Sequence, residues 1–126
     1  MSAAVLDREL LRLEGLWADG LSDTYRLYLE EVATHSTDVQ PRLALAAALV
    51  EVGLRLQGLG GPAAPPAALL MGDLCLARSS RILTDSATRS VQIAFARAVE
   101  ELSGAAASRV ESRPVRELLV RALAAH

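Results

Sequence analysis

The stretch "LLMGDLCLARSSRIL", residues 69–83, decides how the chain reads. Its apolar side chains recur at helical spacing, never in the strict alternation of a half-buried strand. They cover almost the whole circumference of the helix, which therefore has to be covered on almost every side. Gly72, Asp73 and Arg78 interrupt that oily surface. Gly72 suits a close helix crossing, where any side chain would stand in the way. Asp73 and Arg78 are expected to satisfy each other, a helix end or a partner.

Working outward, the same periodicity continues on both sides. Upstream, "VQPRLALAAALVEVGLRLQ" (39–57) is a helix rich in Leu and Ala that should sit centrally. Pro41 is tolerated in its first turn, Thr37 or Asp38 is placed to cap it, and Glu51 and Arg55 mark its one wet strip. Before it, Leu6, Leu10, Leu13 and Trp17 form the stripe of a first helix that Gly20 can stop. Ser22 can cap a second helix with Tyr25, Tyr28, Leu29 and Val32 on one face. "GLGGPAAPP" (58–66) breaks helical structure, and Pro66 is well placed to open the next helix. Downstream, a fifth helix over 88–103 carries Val91, Ala94, Phe95, Ala98, Val99 and Leu102 on one stripe. "GAAAS" (104–108) reads as a place where a neighbouring backbone comes close. A last helix over 113–125 lines up Val115, Leu118, Leu119, Ala122 and Leu123. The expectation is one all-α domain over residues 1–126, a bundle of roughly six helices.

Composition narrows the function classes. With 126 residues there is room for a single core. Only 3% of residues are aromatic, so that core must be built from Leu, Ala and Val. All 13 basic residues are Arg, and neither Lys nor Asn occurs, a bias that hints at a GC-rich bacterial source. A net charge of −2 gives no whole-chain pull toward nucleic acid. Arg109, Arg113 and Arg116 form a basic stripe, but acids are interspersed and no aromatic accompanies them, so no nucleic-acid partner is expected. The apolar runs are too short to span a bilayer, and charge comes too early for a signal peptide, which points to a soluble, cytoplasmic chain.

Candidate chemistry is sparse. His35 lies in a turn and His126 is the last residue, with no ligand spacing around either, so both are expected to be solvated rather than to hold a metal. Cys75, between Leu74 and Leu76, reads as a buried and inert thiol. The acidic pairs Glu30-Glu31 and Glu100-Glu101 point about 100° apart on their helices and cannot clamp one ion. No catalytic residue and no metal ligand is expected, and no cofactor bound by this chain. Two consecutive helices that are apolar all round also leave too little protein to cover both, so part of this surface is expected to meet another chain.

At "ALLMGDLCLARSSRIL…SVQIAFARAVEELSGAAA" the sequence resembles the trans-type polyprenyl diphosphate synthases, all-helical enzymes that extend allylic diphosphates with isopentenyl diphosphate. Leu70, Gly72, Asp73, Leu76, Ala77, Arg78 and Leu83 match one helix of the family, and Ala98, Glu101, Leu102 and Gly104 match the next. "PRLALAAALVEVGLRLQ" is similar to the family helix that precedes them, so the likeness covers about residues 39–107. That family helix should end in a DDxxD motif whose carboxylates hold magnesium against the diphosphate. Here Leu56-Gln57-Gly58-Leu59-Gly60 stand in its place, without a carboxylate. The basic segment for the second diphosphate is missing, and the chain stops short of the second aspartate-rich motif.

The resemblance therefore implies a truncated, non-catalytic small subunit of a heteromeric long-chain polyprenyl diphosphate synthase. Its scaffold would be part of the terpenoid synthase fold, and its partner a separate catalytic chain carrying the magnesium. A homodimer is the other assembly it allows. The family's helix packing places the subunit interface at Leu70, Leu74, Arg78, Phe95, Ala98 and Leu102, with Gly72 and Asp73 as structural residues. The alternative left open by the residues themselves is a self-associating helical adaptor or regulator unrelated to isoprenoids.

Overall fold

A computed structural model describes residues 20–58, 65–108 and 114–125. All the regular structure among them is helical: α1 (Ser22–Glu30), α2 (Gln40–Leu56), α3 (Pro66–Ser86), α4 (Arg89–Ser108) and α5 (Val115–Leu123). The expected first helix with Leu6, Leu10, Leu13 and Trp17 lies outside the described residues, as do Arg109, Arg113 and His126. No helix among the described residues is long and apolar enough to cross a membrane.

The bundle is organised around α2, which meets α3 most extensively and also contacts α1 and α5. Leu43, Ala44, Ala46, Ala47, Ala48, Leu49, Val50, Val52 and Leu54 are all buried, so neighbours cover it on nearly every side. Alanine makes this possible, because its short side chain lets helix axes draw together while retaining the best helix propensity. The other helices close the core with Tyr28 and Val32, Cys75 and Leu83, Val91, Phe95 and Leu102, and Leu119 and Leu123.

The tightest approach is between α2 and α3, at Gly53 and Gly72. A Cβ added to Gly72 would lie 2.8 Å from the Gly53 carbonyl oxygen and 2.5 Å from Gln57 Cγ. A Cβ on Gly53 would meet Cys75 Cβ at 3.0 Å and the Gly72 carbonyl at 3.1 Å. Two backbones thus touch where the sequence placed a close crossing. Further along the same interface the Ser79 hydroxyl donates to the Ala46 carbonyl at 2.8 Å, a buried tie that fixes register.

Several boundaries differ from expectation, each for a local reason. Leu21, not Ser22, is the N-cap of α1, and no side chain caps it; instead Thr24 Oγ1 donates to the Gly20 carbonyl. Gly20 stands at φ +104°, a conformation open to glycine. Neither Thr37 nor Asp38 caps α2: Val39 is the N-cap, and Gln40 Nε2 bonds back to the His35 carbonyl. Pro66 does open α3, behind Pro65. The segment 104–108 continues α4, and at Gly104 there is no close approach: nothing lies within 4 Å of a Cβ built there.

These glycines give a contrast that can be measured. Gly72→Ala should lower stability by about 1–3 kcal/mol, because the opposing atom is backbone and cannot step aside. Gly104→Ala should be neutral or stabilising by up to about 1 kcal/mol, since it gains helix propensity in open space. Urea unfolding of both variants beside the wild type checks the pair, and an equal effect at the two sites would refute the crossing.

Candidate functional site

The face of α3 turned away from α2 carries the features most suggestive of a binding role. Leu70 is 60% exposed and Leu69 42% exposed, among the largest open apolar side chains described. Leu74 is half-buried behind them. Helical spacing explains this: Gly72, Cys75, Ser79 and Leu83 are the residues α3 buries, and Leu70 and Leu74 lie away from that stripe.

The six expected interface residues divide sharply. Leu70 is open, and Leu74 and Arg78 are partly open. Phe95, Ala98 and Leu102 are 2%, 6% and 0% exposed within this chain's own core. They pack within this chain's own core rather than standing open as Leu70 does, and Phe95 also lines a groove beside α3. Asp73 does not pair with Arg78: it accepts from Gln57 Nε2 at 2.6 Å, adding a polar clasp beside the glycine crossing. Among the described residues Arg78 makes no ion pair.

Beside this face a groove of about 370 Å³ runs between α3 and α4. Val50 of α2 contributes to its lining, along with Leu76 and Leu83 of α3 and Phe95 and Val99 of α4. Ser80, Thr84 and Gln92 add polar groups, and Gln92 Nε2 is already bonded to the Ala87 carbonyl.

The polar centre of the molecule is one that sequence reading missed. Glu51 was expected on a wet strip with Arg55, yet it is only 7% exposed. Tyr28 donates its hydroxyl to Glu51 Oε1 at 3.0 Å. Arg116 forms a fork, Nε to Oε1 at 3.2 Å and Nη2 to Oε2 at 2.9 Å. Arg55 Nη2 adds a bond to Oε2 at 3.1 Å. One carboxylate thus joins α1, α2 and α5, and its desolvation is offset by two cations and a phenol. Burial first, and the facing carboxylate second, push the Tyr28 hydroxyl well above the usual tyrosine range. The hydrogen bonds that Arg116 donates to Glu51 hold its guanidinium above the usual arginine range.

His35 is likewise not a free surface histidine. Its Nε2 lies 2.7 Å from the Leu123 carbonyl, which can only accept, so Nε2 carries the proton. It satisfies a carbonyl in the last turn of α5. No signal in the sequence ties His35 to a residue 88 positions away. Cys75 is fully buried as expected, and burial pushes its thiol up to about 11. Among the described residues no three His, Cys, Asp or Glu gather as a metal site.

Two outcomes follow from the buried groups. Tyr28→Phe should cost about 1–2 kcal/mol, the loss of one buried hydrogen bond. Glu51→Gln should cost more, about 3–5 kcal/mol, because it takes the charge away from both Arg55 and Arg116. The double variant should cost less than the sum because the two side chains are in contact; a double-mutant cycle in urea reads this directly. Stability should also fall with rising pH. The thiol of the unfolded chain ionises from about pH 8.5, whereas the folded chain holds its proton until about 11. Stability is therefore full below the first value and drains away as pH climbs, at up to ~1.4 kcal/mol per pH unit. Tyr28 adds a second loss above about pH 10. Cys75→Ala should flatten the first part of that slope in pH-dependent unfolding.

Comparisons with family models, with curated proteins and with solved structures find no match to this chain.

Proposed function

We propose that this chain is a non-catalytic small subunit that binds and completes a separate polyprenyl diphosphate synthase chain. The catalytic partner supplies the DDxxD carboxylates and their magnesium; this chain supplies helical surface, stabilises the partner and helps set product length. Its scaffold is then part of a terpenoid synthase bundle of about six helices, working in the cytoplasm.

The observation that carries the reading is the open apolar face of α3. Leu70 stands in solvent about 160° round the helix from Gly72, where α3 is fixed against α2, and Leu69 is open at the first turn of the helix. A monomer gains nothing from keeping such leucines exposed, and a protein interface gains roughly 1.5–3 kcal/mol for each one covered. The sequence likeness over 39–107 includes this helix, and the place of the magnesium motif is taken by Leu56-Gln57-Gly58-Leu59-Gly60, which has no acid.

The test is reconstitution. Mixed with a DDxxD-bearing candidate chain, isopentenyl diphosphate and farnesyl diphosphate, this protein should be required for product or should change its length. Activity indifferent to its addition would refute the reading. Leu70→Asp should leave the fold within about 0.5 kcal/mol of wild type, since the side chain is mostly in water. It should weaken copurification with the partner by at least about tenfold. A pair that copurifies unchanged places the interface elsewhere.

A further inference from the structure

The Glu51 cluster has a charge imbalance that its structural role does not use. Two arginines converge on one carboxylate, leaving one positive charge over. Among the described residues no second acid pairs with either of them. Glu51 already accepts from Tyr28 Oη, Arg116 Nε, Arg116 Nη2 and Arg55 Nη2, which fills its lone-pair positions. Each guanidinium has more N–H donors than Glu51 takes up. The arginine side chains are 58% and 48% exposed, so the remaining donors are within reach of solvent.

The two cations also share a hollow of about 350 Å³, lined by Glu51, Leu54, Arg55, Val115 and Arg116. The buried carboxylate holds both guanidiniums beside it, so much of the side-chain entropy that a flexible arginine loses on binding is already spent. Leu54 and Val115 give the hollow an apolar wall against which each charge-assisted hydrogen bond is less diluted by water.

We propose that Arg55 and Arg116, held by Glu51, form a binding site for an oxyanion, a carboxylate or a phosphate group. The site lies on α2 and α5, rests on none of the α3 face, and stands whether or not the subunit reading holds. Glu51 sets the spacing of the two arginines; Arg55, which gives the carboxylate only one hydrogen bond, has most of its donors left for the ligand.

The experiment titrates the full chain with inorganic phosphate and, separately, with acetate, at ionic strength held constant with sodium chloride. Binding is followed by the arginine Nε–H signals in proton–nitrogen spectra and by thermal unfolding. At least one anion should shift the Arg55 and Arg116 signals saturably and raise the melting temperature. Arg55→Gln should weaken that response by about tenfold or more, the loss of a charge-assisted hydrogen bond. A response to phosphate alone assigns the ligand head group as phosphate, and a response to acetate alone as carboxylate. No saturable shift with either anion in the wild-type chain overturns the proposal, as does an equal response in Arg55→Gln. The wild-type spectra decide the matter even if the variant folds poorly.

Discussion

The structure depends on covering a helix that has almost no polar face. α2 carries nine buried apolar side chains over 17 residues, and each of its sides needs a neighbour. A chain this small has few helices to spend on that task, so one of them has to come very close. The pairing of Gly53 with Gly72 allows it: with no Cβ on either helix, backbone meets backbone, and Cys75, Leu76 and Gln57 close around the contact. Dispersion between close-packed atoms then compensates for the modest area that alanine buries. Everything else is arranged around this contact, including the direction in which α3 points its remaining leucines.

Apolar packing of Leu and Ala is tolerant of sliding, because neighbouring turns look alike. Directional bonds remove that freedom. Ser79 locks α3 to the Ala46 carbonyl, Glu51 locks α1 and α5 to the middle of α2, and Gln57 with Asp73 closes the far end of the crossing. The short helix α5 is held at both ends, by Arg116 near its start and by the Leu123 carbonyl on His35 at its finish. Nine residues form a marginal helix alone. Held in this way, its stripe of Leu118, Leu119, Ala122 and Leu123 has one register against the core.

What the sequence revealed and what it hid follow the same division. Local periodicity was enough for the helical class, for the central place of α2, for Pro66 opening α3, and for Gly72 as a crossing point, since each depends on neighbours within a turn or two. Glu51 and Arg55 are also neighbours, and for that reason they read as a solvated pair; their true environment is set by Arg116, 65 residues on, and by Tyr28, 23 residues back. His35 was misread for the same cause. Gly104 was misjudged in the opposite direction, because glycine among alanines fits a close approach and an ordinary exposed helix end equally well, and only the absence of a neighbour separates them. For the interface residues the helical stripe of α4 was legible, but whether it faced inward or outward was not. Phe95, Ala98 and Leu102 turned out to be what α4 spends on its own attachment.

α4 buries Val91, Phe95, Ala98 and Leu102, so the apolar surface left open on α3 and α4 is Leu69, Leu70, half-buried Leu74 and Ile93, with the groove lined by Phe95 and Val99 between the two helices. A contact made there is narrow, and narrow apolar contacts gain specificity from the charges that border them. On α3 those charges are Asp73, already engaged by Gln57, and Arg78, Arg81 and Asp85, none of which makes an ion pair among the described residues. An acidic group on the partner opposite Arg78 would complete a pairing that this chain leaves open. A partner meeting α3 would find leucines toward its N-terminal half and two arginines, Arg78 and Arg81, further along.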